Sequence, residues 1–119
     1  MILYKTLTVT TDSSGAGTVT DGPINGEIIE VCSSGTALSG TADFTIVRAG
    51  TFGGTILAVA DKQVPWWFQP RAVPCTVAGV AITNGQTRIA CDGNVTLTVA
   101  QAGSVLPVAV TIMYDNLHD

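Results

Sequence analysis

The sequence predicts an all-β domain: a single antiparallel β-sandwich, jelly-roll-like or immunoglobulin-like, of about eight short strands. Three observations carry this. Short runs alternate apolar and polar residues, which puts successive side chains on opposite faces of a strand. Clusters of Gly, Asn, Asp and Pro separate those runs at even spacing. No window sustains a 3.6-residue period between helix caps. The 119 residues suit one domain with one core, so residues 1–119 are expected to form a single unit, with 116–119 as a frayed tail.

Along the chain, Leu3, Leu7 and Val9 alternate with Tyr4, Thr6, Thr8 and Thr10, which gives a half-buried first strand. Asp12-Ser13-Ser14-Gly15-Ala16-Gly17 reads as a turn. Thr18-Val19-Thr20 starts a second strand that Asp21-Gly22-Pro23 ends, and Pro23 is expected at a sheet edge because it lacks a ladder donor. Asn25-Gly26 suits a type I′ hairpin turn. Glu27 to Cys32 follows as a strand with Ile29 and Val31 on one face, and Ser33 to Gly40 as a small-residue loop.

Thr41 to Ala49 forms the next strand, with Phe44 and Ile46 inward, Asp43, Thr45 and Val47 outward, and Arg48 at the rim. Gly50 to Gly54 turns the chain into Thr55 to Ala60, whose continuous apolar run suits a strand covered on both faces, with a short helix as the alternative. A looser stretch from Pro74 to Ile82 precedes a second Asn-Gly turn at Asn84-Gly85 and a strand from Thr87 to Cys91. Asp92-Gly93 turns the chain again into Val95-Thr96-Leu97-Thr98-Val99. The last strand places Val108, Val110, Ile112 and Tyr114 on one face.

Composition excludes several functions. A net charge of −4 with Lys5, Arg48, Lys62, Arg71 and Arg88 scattered along the chain argues against nucleic acid, whose phosphates need clustered cations. No apolar run approaches the roughly 18 residues that span a bilayer, so no membrane contact is expected. Met1 to Lys5 has no secretory pattern, which points to synthesis in a cytosol. Three cysteines without CxxC spacing, Cys32, Cys75 and Cys91, fit reduced thiols better than a disulfide frame, with a Cys75–Cys91 bridge as the alternative. Charged residues are only 12% of the chain, about half the usual share, so apolar patches should reach the surface and favour life in an assembly.

Catalytic constellations are missing from the pattern, and an enzyme is not expected. The single histidine, His118, lies in the expected tail, where a Ser–His–Asp or Cys–His arrangement would lack a rigid setting. Glu27 and Glu30, three apart on a strand, should point to opposite faces rather than converge as an acid–base pair. Asp12, Asp21, Asp92 and Asp115 have no calcium-loop spacing, so neither a metal nor a cofactor is expected.

The segment Val64-Pro65-Trp66-Trp67-Phe68-Gln69-Pro70-Arg71 holds both tryptophans. Trp and Arg are enriched among the residues that dominate interfaces, so Trp66, Trp67, Phe68 and Arg71 are the candidate protein-interface residues. The plainer reading is that these aromatics lid the core. Both hold together if adjacent residues face opposite ways. An aromatic platform for sugars is a third reading, and few polar side chains accompany it.

In their order along the chain, Leu7-Thr8-Val9-Thr10-Thr11-Asp12, Gly22-Pro23-Ile24-Asn25-Gly26, Ala42-Asp43-Phe44-Thr45-Ile46, Gly54-Thr55-Ile56-Leu57, Phe68-Gln69-Pro70-Arg71-Ala72 and Val95-Thr96-Leu97-Thr98-Val99 resemble small β-sandwich structural proteins of tailed-bacteriophage head modules. The tryptophan pair and the three cysteines are not features of that group. The resemblance implies a capsid decoration, or cement, protein, made in the host cytoplasm and placed on the outside of the virion shell. Its partners would be the major capsid protein and further copies of itself, as a trimer in preference to a dimer. The alternatives are another virion part, such as a head–tail completion or tail component, and a glycan-binding module.

Overall fold

The computed structural model describes residues 1–34, 41–49, 53–62, 64–72 and 86–116. These form eight strands: β1 (Ile2–Thr10), β2 (Gly17–Ser34), β3 (Asp43–Arg48), β4 (Gly54–Val59), β5 (Trp66–Phe68), β6 (Arg71–Ala72), β7 (Thr87–Ala100) and β8 (Pro107–Asp115). The protein is all-β, and every pairing is antiparallel. The hydrogen-bonded order is β1-β8-β2-β7-β3-β4, with β5 added to β2 and β6 to β7.

One strand joins the two halves of this path. From Gly17 to Ile28, β2 pairs with β7; from Glu27 to Ser34 it pairs with β8, and Val31 to Ser33 also take β5. Beside the first half of β2 lies β1: Lys5 Nζ is 3.4 Å from Asp21 Oδ2, and Gly17 sits against Val9. The sheet therefore curls around a common core to which both ends of the path contribute, Leu7 from β1 and Ile56 from β4, together with Ile28, Phe44, Leu97 and Ile112.

The sequence placed turns where this long strand runs straight on. Asn25 and Gly26 pair with Asp92 and Cys91, so both expected Asx-Gly turns lie inside β2 and β7, facing each other across a ladder. Pro23 is not at an edge. It lies in a central strand, at a register shift between Asp21 and Ile24 where no ladder donor is required. Local glycine preference gave way to tertiary pairing: at Gly26 (φ +150°) a Cβ would run into the backbone carbonyl of Asp115, so this glycine serves close strand approach.

A second shift, between Ile28 and Glu30 in the pairing with β8, changes the faces that follow. Ile28 and Val31 are the buried pair, not Ile29 and Val31. The extra residue also returns Glu30 to the same outward phase as Glu27, where strict alternation would have opposed them. Ser33, expected in a loop, is a buried residue of β2 whose hydroxyl donates to Ala109 O at 2.8 Å.

Strand β3 has the expected faces, with Phe44 and Ile46 buried. Strand β4 ends the path, with Ala58 exposed, so its apolar run is not covered on both sides. Arg48 reaches the rim as expected, and its Nη1 donates to Ala90 O at 3.2 Å. Asn116, the first residue of the expected tail, donates its N–H to Met1 O at 3.0 Å, and the rest of that tail lies outside the described residues. The expected turn at Asn84-Gly85, the stretch ending at Ile82, Cys75 and His118 lie outside the described residues, as do most of the loop to Gly40 and of the turn at Gly50 to Gly54.

Two turns dock to close one end of the core. Thr11, buried, donates its hydroxyl to Ser104 O at 2.6 Å and accepts from Leu106 N at 2.9 Å. Gly15 O accepts from Ala102 N at 3.0 Å. Asp12 shapes the first turn, its carboxylate accepting from Ser14 Oγ, Ser14 N and Ala16 N. These bonds hold the carboxyl below its ordinary value of 3.8, the Ser14 hydroxyl most and the Ala16 N–H next.

Gly26→Ala is expected to lower stability by about 2–4 kcal/mol, because neither the β2 backbone nor the Asp115 carbonyl can move without breaking its ladder. Chemical denaturation of the two proteins measures it. For Asp12 the native carboxyl titrates below its unfolded value, so its contribution is complete above the unfolded value and disappears as pH falls through the lowered native one. Thermal melts of Asp12→Ala and the parent should differ at about pH 7 and converge at about pH 2.

Candidate protein interface

The aromatic segment forms β5, held to β2 in a fixed register: Val31 opposite Phe68, Cys32 opposite Trp67, Ser33 opposite Trp66. Strand alternation then sends the two indoles apart. Trp66 is 6% exposed, next to the Phe44 ring (centroids 5.0 Å, edge-on) and the half-buried Phe68 ring (5.6 Å, tilted). Trp67 is 64% exposed on the outer face. Trp66 therefore belongs to the core and Trp67 to the surface.

Arg71 is spent inside the fold. Its Nη1 donates to Pro70 O at 2.7 Å and to Ile29 O at 3.2 Å. Ile29 is the residue skipped in the register with β8, so the guanidinium satisfies a carbonyl at that irregularity. Arg71 stands opposite Arg88 on β7; Arg88 stays in solvent, and Arg71 turns to the carbonyls.

Trp67 does not stand alone. Cys32 pairs with Trp67 on one side and Thr111 on the other, and Thr111 pairs with Thr6, whose hydroxyl lies 3.0 Å from that of Thr111. The row Trp67–Cys32–Thr111–Thr6 thus crosses β5, β2, β8 and β1 on the outer face. On one side the next row is Glu30–Met113–Tyr4, and beyond it Glu27–Asp115–Ile2. On the other, Ala109 pairs with Thr8 and Pro107 with Thr10. Tyr4 is 67% exposed, and Ile2 and Met1 are exposed as well. Every carboxylate of this face lies at one end, where Asp115 holds the Met1 amine at 3.1 Å. The middle and the other end are apolar or hydroxyl-bearing. Sequence reading missed Cys32 as the neighbour of Trp67, and Met113, Tyr4 and Ile2 as members of the same face, since strands distant in the chain supply them.

The outer face of β7, β3 and the first half of β2 has a different character. Thr18, Thr98 and Thr45 form one row, and Thr20, Thr96 and Val47 the next, with the Thr20 and Thr96 hydroxyls 2.8 Å apart.

The remaining chemical candidates are dispersed. An open groove of about 330 Å³ runs where β2 passes from β7 to β8, lined by Asn25, Gly26, Glu27, Ala90, Cys91, Asp92 and Asn116. Its Asn25 Oδ1 already accepts from Gly93 N at 2.9 Å. Cys91 and Cys32 are free thiols, so the Cys75–Cys91 bridge is not formed. Burial pushes the Cys91 thiol up, against the pull of nearby Arg48, which keeps it protonated and a poor nucleophile. Asp12 serves its turn, Asp21 binds Gly22 N–H and Lys5, and Asp115 binds the Met1 amine. Among the described residues no three His, Cys, Asp or Glu side chains come together as metal ligands, and no helix is long and apolar enough to cross a membrane.

No known protein family, curated protein or solved structure matches the chain.

The two tryptophans are expected to separate cleanly under mutation. Trp66→Ala removes a ring packed between Phe44 and Phe68 and should cost about 3–5 kcal/mol. Trp66→Phe should cost less, because it retains an aromatic ring and removes an indole N–H that has no hydrogen-bond partner among the described residues. Trp67→Ala should stay within about 0.5 kcal/mol of the parent. Denaturant melts of the three variants decide the assignment.

Proposed function

We propose that this chain is a structural protein that works by surface contact, as a decoration protein on the outside of a bacteriophage capsid. The observation that carries the contact reading is Trp67. A large indole stands in solvent on a strand locked by its pairing with β2, along one side of a face whose charges are confined to one end. Trp is among the residue types that most often dominate an interface, and a rigid strand loses little entropy on docking. The capsid assignment rests on the resemblance. Its segments fall on β1, β2, β3, β4, β5–β6 and β7, so they coincide with the framework of the sheet.

Cementing needs no turnover. A protein that binds the expanded lattice and not its precursor stabilises the former by its binding free energy. An oligomer touching adjacent subunits adds avidity, since its second contact is intramolecular. Surface placement on the virion and partnership with the major capsid protein belong to this proposal. A head–tail completion or tail role is the second reading, favoured by the same exposed indole. A sugar platform fits less well, because Trp67 has Cys32 beside it in its row and Glu30 is the one charged side chain of the adjoining row.

Mixing the purified protein with expanded and unexpanded shells tests the proposal. Saturable binding to expanded shells is expected, with hundreds of copies per particle rather than about a dozen, as a lattice of repeated sites requires. Absence of binding to either shell removes the capsid role, and about a dozen copies moves the protein to the head–tail reading.

A further inference from the structure

We infer that the outer face of β1, β8, the second half of β2 and β5 packs against the same face of a second copy of this chain, about a two-fold axis that runs along the row Trp67–Cys32–Thr111–Thr6. The inference rests on the contact-surface reading above and is independent of the capsid assignment.

Size is the first argument. Three strands spaced about 4.8 Å apart over a length of roughly 27 Å, with the short β5 beside them, give a face of about 400–450 Å² in projection. Side chains standing out of that plane add accessible area, which brings it towards the roughly 800 Å² per partner of a standard stable interface. The face also has the composition of an interface core, with Trp67, Tyr4 and Met113 rising among threonines.

Charge then selects the geometry. Two identical faces can meet about an in-plane axis parallel to the strands or one perpendicular to them. The parallel axis keeps the acidic end of each copy at the same end, so Glu27 and Glu30, beside the Asp115–Met1 ion pair, would oppose the same two carboxylates. Like charges brought together and desolvated are strongly disfavoured. The perpendicular axis lays the acidic end of one copy over the end of the other that carries Thr8, Thr10 and Pro107. The row containing Trp67 lies midway between the two ends, so it becomes the axis and each of its residues meets its own mate. Trp67 faces Trp67, and Cys32 faces Cys32. Sheets packed face to face stand about 10 Å apart, which separates two Cys32 thiols by less than a short bifunctional linker spans, although their Cα atoms are too far apart for a strain-free disulfide. One self-complementary face closes at two copies, so the assembly is a dimer and not the trimer preferred from the sequence. The threonine face of β7 and β3 takes no part and stays open on both copies.

Sedimentation equilibrium of the full chain, with thiol cross-linking in a Cys75→Ser background, tests this. A dimer is expected at micromolar concentration, and a bismaleimide with a two-carbon spacer should trap it through Cys32, with the trapped species lost in Cys32→Ser. Trp67→Ala should raise the dissociation constant by roughly 30-fold or more with an unchanged melt of the monomer. A near-ultraviolet dichroism band from the facing indoles should fade on dilution. A chain that stays monomeric at tens of micromolar, a trimer, or a dimer indifferent to Trp67→Ala overturns the inference. A dimer that the linker does not trap through Cys32 overturns the axis. Shell binding by a monomer would sink this inference alone, whereas a dimer that ignores both shells would sink the capsid role alone.

Discussion

Strand β2 must satisfy two partners that lie on different parts of the sheet, and the rest of the molecule is arranged around that requirement. Its first half completes the ladder with β7 and its second half the ladder with β8, with only Glu27 and Ile28 shared by both. Any backbone group left unpaired at the crossing would be costly if buried, so the strand cannot end in a turn there. It bends instead. The register shift at Gly22-Pro23 and the extra residue at Ile29 supply the curvature, and Gly26 allows the carbonyl of Asp115 to approach where a side chain would stand.

That crossing fixes which side chains face outward. The Ile29 irregularity resets the alternation so that Ile28 and Val31 enter the core while Glu30 and Cys32 face out. Strand β5 copies this phase through its register with Val31, Cys32 and Ser33. Trp66 is thereby committed to Phe44 and the core, and Trp67 to solvent beside Cys32. Arg71 secures the same irregularity from outside by donating to the Ile29 carbonyl. The aromatic segment is thus a structural element with one indole turned outward, and its rigidity comes from β2.

Edge protection fits this arrangement. Lys5 points inward from β1, an end strand of the path, and meets Asp21 of β2. An inward charge on such a strand discourages further strand addition, so association through the edge is less favoured than association through the face. At Asp21 the Gly22 N–H holds the carboxyl low, with help from Lys5, which keeps it ionised as that pair requires.

The amino-acid sequence by itself determined the class of fold and the direction of most side chains. Alternation in Leu3 to Thr10, Asp43 to Val47, Val95 to Val99 and Val108 to Tyr114 reads directly as strands with one buried face, because side-chain period follows from local backbone geometry. The opposed tryptophans were legible for the same reason. Tertiary structure alone decided that Asn25-Gly26 and Asp92-Gly93 pair with each other inside long strands instead of turning the chain. A glycine allows a turn and a close strand approach equally, and only the position of Asp115 or of a facing strand distinguishes them. Tertiary structure likewise placed Thr6 and Thr111 in line with Trp67. They come from β1 and β8, and which strands stand side by side depends on long-range pairing rather than on neighbours in the chain.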